Sequence, residues 1–380
     1  MMVYLENNSM ANQENYEYVK SHYIDVDNMI TYYIAQLYCQ NTDWPTNNMR
    51  MWRPRTENGK FRFPWYDADF GYGLWGGEAY TNPWDNFDKS GYKKKASVAM
   101  LNYMLENEEF KAEFVQRFYA MMATVYAPSR FAEISDNIEN TIKSERSALM
   151  DEWTCYLNDG DCWGYGKCTM QKFASERVSK MQGYVNDKFG AKGTTTLKIN
   201  YTNTQGKVYV CSIPVDNGYE AKHQKDRAIR LVAEPKEGYK FKCWKNGNTS
   251  ISTNLEYFLT ITAATTITAE FESRSTEKNL YINEFLTSNT TDIVDEAGQN
   301  EDWIEIYNGG SSAVDLAGLY LSDTNGNLTQ YQIPYGYADE TTIDAKGFLI
   351  LWADNDSQDG PLHFVQLHQQ YLSYLTLKTH

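Results

Sequence analysis

The apolar residues of this chain change their period once, near Gly190, and that change divides it into a helical part and a strand part. From Asp25 to Tyr38 the residues Val26, Met29, Ile30, Tyr33, Ile34, Leu37 and Tyr38 recur on one helix face, with Asp25 placed to cap the start. Residues from about Lys94 to Phe189 repeat this pattern, as in ASVAMLNYMLENEEFKAEFVQRFYAMMATVY, and CYLNDGDCWGYGKC interrupts it as a loop. After Gly190, Thr, Val, Ile and Tyr alternate with polar residues in TTTLKINYTNTQGKVYVCSIPV, AIRLVAEPKEGYKFKCWKNG and EYFLTITAATTITAEFE, which predicts strands joined by Gly turns. The charged run ESRSTEK at 272–278 reads as a linker, and a second strand-rich region runs from Asn279 to the end. Three regions follow, 1–190, 191–275 and 276–380, and a chain of 380 residues is long enough to need more than one core.

A content of 42% hydrophobic and 15% aromatic residues belongs to a folded chain. The formal charge of -15 repels phosphate backbones and anionic lipid, and no basic patch offsets it, so a nucleic-acid partner is not expected. No run reaches the roughly 20 apolar residues of a membrane span, and MMVYLENNSMANQENYEYVK lacks the regions of a signal peptide. Cys39 lies in an apolar helix and reads as a core thiol, while Cys211 and Cys243 lie in separate strand-like runs. Cys155, Cys162 and Cys168 share one loop, where two of them can pair; three thiols without a fourth ligand cannot close a tetrahedral zinc site.

The segment NTDWPTNNMRMWRPRTENGKFRFPWYDADFG, residues 41–71, carries two extended runs, Met49 to Arg53 and Lys60 to Trp65, around an Asn58-Gly59 pair that suits a hairpin turn. Asp43 and Asn48 precede the hairpin, and Asp67 and Asp69 follow it, so their side chains can converge. Convergent carboxylates repel unless a divalent cation or a general-base role compensates, and oxygen ligands from Asp and Asn suit Mg²⁺. Asp and Asn also favour turns and caps by bonding their own backbone, which gives the same residues a purely structural reading. Phosphoryl transfer in protein kinases uses one Asp to accept the hydroxyl proton, an Asn five residues on, and an Asp before Phe-Gly, the last two holding Mg²⁺. Asp43 and Asn48 have that spacing, and Asp69-Phe70-Gly71 spells the last element. None of the five histidines (22, 223, 363, 368, 380) lies near this group in the sequence, so a His-based triad has no support.

NTDWPTNNMRMWR followed by GKFRFPWYDADFGYG resembles the core motif of the CotH kinase family, atypical protein kinases named for a bacterial spore-coat protein. NEEFKAEFVQRFYAMM, PSRFAEISDNIENTIKSE and FASERVSKMQGYVNDKFG extend the resemblance over residues 12 to 190. It implies ATP-dependent transfer to Ser or Thr of secreted or surface proteins, with Mg²⁺ or Mn²⁺. It also implies Asp43 as the catalytic base and Asn48 as a metal ligand. The second metal-binding Asp falls on Asp67, whereas the literal Asp-Phe-Gly string selects Asp69; both lie on the same side of an extended segment. A kinase also needs a small lobe with a lid and a phosphate-binding Lys. About 40 residues precede Asp43, read as one helix and a polar lead-in, so no such Lys is named. The chain reads either as a fragment of a longer protein, inactive by itself, or as a domain that has lost nucleotide binding.

EPKEGYKFKCWKNGN and TITAATTITAEFE resemble the divergent InlB-type B repeats of bacterial surface proteins, with Trp244 read as core rather than as a ligand platform. NLYINEFLTSN, DWIEIYNGGSSAVDLAGLYLSD and GFLILWADND resemble a lamin-tail domain, an immunoglobulin-like β-sandwich whose core would hold Ile282, Phe285, Trp303, Ile304, Ile306, Leu316, Leu319 and Leu321. Asp302, Asp315 and Asp323 lie in separate turns, which fits turn chemistry better than a calcium site. The ending HFVQLHQQYLSYLTLKTH departs from the family pattern, and we expect its final strands to be absent or altered, exposing a sheet edge. The resemblances together imply a multidomain chain: a mainly helical atypical kinase-like large lobe with a small β-hairpin catalytic core, a small all-β repeat module, and an Ig-like sandwich. They imply an extracellular or cell-surface kinase with the β modules as spacers or adaptors. The rival class is a non-catalytic adhesion or scaffold protein with a degenerate kinase-like region.

Overall fold

The structure is a computed structural model and describes residues 1–56, 59–73, 77–145, 164–236, 238–273, 279–322, 330–354, 360–364 and 376–378. The chain forms two compact units, one of residues 1–200, 208–232 and 256–267, the other of residues 201–207, 233–255 and 268–380.

The first unit opens with three helices, α1 (Met2–Asn7), α2 (Gln13–His22) and α3 (Val26–Cys39). The expected polar lead-in is therefore helical. Asn12 explains part of the difference, because its side chain accepts from the backbone N–H groups of Glu14 and Asn15 and caps α2. In α3, Asp25 caps as expected by accepting from Asn28 N at 3.0 Å. The apolar face Met29, Ile30, Tyr33, Ile34 and Leu37 is buried. The helix stops where Gln40 turns left-handed, at φ 54°. Then follow α4 (Pro83–Phe87), α5 (Ala96–Met104), α6 (Glu108–Ala123), α7 (Pro128–Ile142) and α8 (Gly164–Phe189).

Of the predicted loop 155–168, the part with Cys155 and Cys162 lies outside the described residues, as does the Cys168 side chain. The last five residues are helical, starting α8. Lys167 on that first stretch pairs with Asp136 of α7 at 2.7 Å and with Glu139, which ties the two helices together. Cys39, Cys211 and Cys243 are buried free thiols, and burial pushes the Cys39 thiol up to about 12. Strand Thr194–Asn200 pairs antiparallel with Tyr219–Gln224, from Thr194 opposite Gln224 to Ile199 opposite Tyr219. No helix among the described residues is long and apolar enough to cross a membrane.

In the second unit, Tyr239–Asn246 pairs with Thr249–Ser252. Trp244 is fully buried there and its Nε1 donates to Asn254 O at 3.0 Å, so it is core. The C-terminal strands form a sheet in the order Leu280–Leu286, Trp303–Asn308, Phe348–Ala353, His363–Phe364, the last pair parallel. Ile304, Ile306, Leu316, Leu319 and Leu321 share one core cluster with Ile333, Ile343, Leu351 and Phe364, and Ile282 packs against it. Phe285 does not join this core. It is 43% exposed on the edge strand of the sheet, just past a register shift between Ile282 and Glu284. Asp302 accepts from Asn289 N, and Asp315 from Ala317 N and Thr341 Oγ1, as turn residues do. Asp323 lies outside the described residues, as do His368 and His380. A strand does form near the end, where Thr376–Lys378 pairs with Tyr320–Ser322.

Candidate active site

The two extended runs around residue 57 meet in one antiparallel bridge, with Trp52 N donating to Arg62 O at 3.1 Å and Arg62 N to Trp52 O at 2.9 Å. The hairpin is this short because the second run directs its other bonds to the start of α3. Phe61 N donates to Tyr23 O at 2.7 Å, Phe63 N to Asn28 Oδ1 at 2.6 Å, and the Arg62 guanidinium pairs with Asp25 at 2.8 Å. Asn58 of the turn lies outside the described residues.

The two flanks of the hairpin are joined directly. Tyr72 N donates to Cys39 O at 2.7 Å and Thr42 N to Phe70 O at 3.2 Å, so the Asp-Phe-Gly stretch lies along the segment that leaves α3. Asn41, 3% exposed, links both acidic groups: its Oδ1 accepts from Asp43 N, and its Nδ2 donates to Asp67 O. Gly71 suits this crossing, because a Cβ there would stand 3.2 Å from both the carbonyl oxygen and Sγ of Cys39, closer than most Cβ contacts. The turn at Trp44 and Pro45 is held by Ser97 Oγ donating to Pro45 O at 2.7 Å and by Asn86 donating to Trp44 O at 3.1 Å.

Beneath the segment lies Arg177 of α8, with no exposed surface. Its guanidinium donates to the carbonyls of Leu37, Tyr38, Ala79 and Thr81 and to Gln40 Oε1. These bonds satisfy the last carbonyls of α3, where a positive charge also complements the helix dipole. Burial lowers the Arg177 pKa to about 10. Neither Asn41 nor Arg177 was singled out from the sequence. Arg177 had a usable signal, since it falls on the same α8 face as buried Phe173 and Met181, where an apolar residue is the rule.

Asp43 is half-buried and doubly bonded. Its Oδ1 accepts from the Asn47 side chain and its Oδ2 from the Asn48 side chain, each at 2.6 Å. Asp67 and Asp69 are exposed. The Asp67 carboxyl is raised above its ordinary value by partial loss of solvent, then by the hydrogen bond and charge of Asp69, then by the charge of Asp43. All four residues thus share one neighbourhood, although the ligand atoms of Asp43, Asp67 and Asp69 do not all stand within 4.8 Å of one another. Four of the nine non-glycine positive-φ positions among the described residues, Gln40, Asn48, Asp67 and Tyr72, lie in this stretch. Such backbone is costly and concentrates where side chains must be aimed. A groove of about 650 Å³ opens beside Asp43 and Asn48, lined also by Arg50, Lys95 and Ser97.

Residues 1–189 match the family model described as CotH kinase protein, residues 195–275 the divergent InlB B-repeat domain, and residues 273–377 the Lamin Tail Domain. No curated protein matches the chain. Among solved structures, a DUF4876 family protein from Bacteroides thetaiotaomicron is similar at 13% identity and a TM-score of 0.13, over 44% of this chain and half of that one.

Proposed function

The first 189 residues are a CotH kinase domain, and we propose that their acidic site transfers the γ-phosphoryl group of ATP to a Ser or Thr hydroxyl of a protein substrate. The observation that carries this reading is the grouping of Asp43 and Asn48 with Asp67 and Asp69, in which the Asp43 and Asp69 charges both act on Asp67. Asp43 is the base: the proton of the hydroxyl passes to its carboxylate as the hydroxyl oxygen bonds to phosphorus and ADP leaves. Its two amide bonds aim the carboxylate toward the groove, where an incoming side chain has room.

The donor set fits a divalent cation. Carboxylates and a side-chain amide oxygen are the ligands that Mg²⁺ and Mn²⁺ accept. Asn48 gives its Nδ2 to Asp43, which leaves Oδ1 as its ligand atom. Asp67 and Asp69 are exposed and repel each other, so they can close on an ion whose charge relieves that repulsion. A bound Mg²⁺ or Mn²⁺ would neutralise charge on the transferring phosphoryl group. The two β modules then serve as spacers or surface adaptors, and the similarity of the first to the InlB B-repeat supports an extracellular or cell-surface setting.

The test is Mn²⁺ binding in the presence of ATP, read by electron paramagnetic resonance, together with label transfer from γ-labelled ATP to a Ser- and Thr-containing protein, the transfer measured with a longer protein that joins this domain to a nucleotide-binding small lobe. Asp67→Ala should weaken Mn²⁺ binding at least about tenfold, and Asp43→Ala should abolish transfer while leaving a folded protein. Binding and transfer unaffected by both substitutions would overturn the reading.

A further inference from the structure

Away from the hairpin, at one end of the C-terminal sandwich, Asp295, Asp354 and His363 each offer a ligand atom, and these atoms all lie within 4.8 Å of one another. They come from three separate stretches of chain. Asp295 sits in a tight loop in which its Oδ1 accepts from Gln299 N at 2.7 Å and its own N donates to Gln299 O at 3.0 Å. Asp354 follows strand Phe348–Ala353, and His363 begins the parallel strand beside it. Backbone bonds from Trp352 N to Leu362 O and from Asp354 N to Phe364 O hold those two side chains together. The residues are enclosed: His363 and Asp354 side chains are 3% and 1% exposed, and Asp295 is 7% exposed.

The imidazole is flanked on both sides by carboxylates. Its Nδ1 lies 2.5 Å from Asp354 Oδ2, and its Nε2 lies 3.3 Å from Glu296 Oε2. A neutral ring donates from one nitrogen only, so its other nitrogen would face an acceptor with nothing between them. Such a ring carries either a second proton or a metal ion, and a third carboxylate, the buried Asp295, brings a further oxygen within 4.8 Å of the Asp354 and His363 ligand atoms. We propose that Asp295, Asp354 and His363 hold a divalent transition-metal ion of the Zn²⁺ class. Zinc takes carboxylate oxygens and imidazole nitrogens at about 2.0–2.2 Å, which puts neighbouring ligand atoms about 3.4 Å apart in a tetrahedron. The present spacing needs only small side-chain movements to reach that. Imidazole argues against Ca²⁺, which takes oxygen ligands. The ion would cross-link the loop and both strands, stiffening this end of the sandwich.

The experiment is calorimetric titration of the metal-free full chain with Zn²⁺, with Ca²⁺ as a parallel arm, and thermal unfolding with and without Zn²⁺. We expect one equivalent of Zn²⁺ to bind and to raise the melting temperature. That equivalent should vanish in His363→Ala and in Asp295→Asn but persist in an Asp67→Asn, Asp69→Asn double variant. If the buried His363→Ala does not fold, Asp295→Asn, which changes only a loop carboxylate, decides the question. No Zn²⁺ binding to the wild type, undiminished binding in Asp295→Asn, or preference for Ca²⁺ would each overturn the proposal.

Discussion

Asn48 donates its side-chain amide to Oδ2 of Asp43 at 2.6 Å, a bond that spans the five-residue spacing between them. Asn47 makes the matching bond to Oδ1, so the carboxylate is gripped by two neighbouring amides with different further duties. Only Asn48, with its left-handed backbone at φ 55°, is also a proposed metal ligand. Asn48→Ala should therefore lower phosphoryl transfer about a hundredfold or more and weaken Mn²⁺ binding. Asn47→Ala should cost transfer about tenfold or less and leave Mn²⁺ binding unchanged. Equal effects of the two substitutions on Mn²⁺ would assign Asn48 to orientation alone.

Asp67 supplies a test of geometry that needs no substrate. Partial desolvation raises its carboxyl pKa first, and Asp69 and Asp43 raise it further. Asp69→Asn removes the nearer negative charge and should move the Asp67 titration down toward its ordinary value; Asp43→Asn should do the same by less. Carboxyl-carbon NMR titration measures both. Midpoints indifferent to either substitution would mean that the acids do not share a site in solution.

Much of this arrangement is legible in the sequence, and the limits have physical causes. The α3 face and its Asp25 cap followed from local periodicity and backbone satisfaction, both written within a few residues. The hairpin was overestimated because turn chemistry says where a chain reverses, whereas its ladder depends on what else competes for the donors; here Phe61 and Phe63 bond to residues near the start of α3. The lamin-tail resemblance implies a core place for Phe285, yet it stands exposed on an edge strand beside a bulge. Asn41 and Arg177 act through contacts across the fold, which no local window displays.

Arg177 offers the largest expected loss of stability. Five acceptors depend on its guanidinium, four of them backbone carbonyls, and three of those carbonyls are buried with it. Arg177→Met keeps much of the volume but strands those acceptors, and should cost about 3–5 kcal/mol in urea unfolding. Arg177→Lys keeps the charge on a point donor that cannot span the same five groups, so it should fall between Met and wild type. A cost under about 1 kcal/mol for Arg177→Met would show that the segment leading to Asp43 is held by other means.

His223 makes stability depend on pH in a stated direction. Fully buried, it bonds through Nε2 to the Tyr219 hydroxyl at 2.9 Å and through Nδ1 to Gln116 Oε1 at 3.1 Å. Loss of solvent pushes its pKa from 6.5 down to about 3. The folded ring therefore stays neutral while the unfolded chain takes up a proton as pH falls below the ordinary value. The resulting stability is complete above about pH 6.5 and declines as pH falls, by at most about 1.4 kcal/mol per pH unit, levelling off near the folded pKa. His223→Gln can still bond to both partners but cannot titrate. Its unfolding free energy, measured by urea between about pH 4 and pH 7, should fall less steeply toward acid than that of the wild type. Parallel slopes for the two proteins would mean that His223 is protonated in the folded state as readily as in the unfolded one.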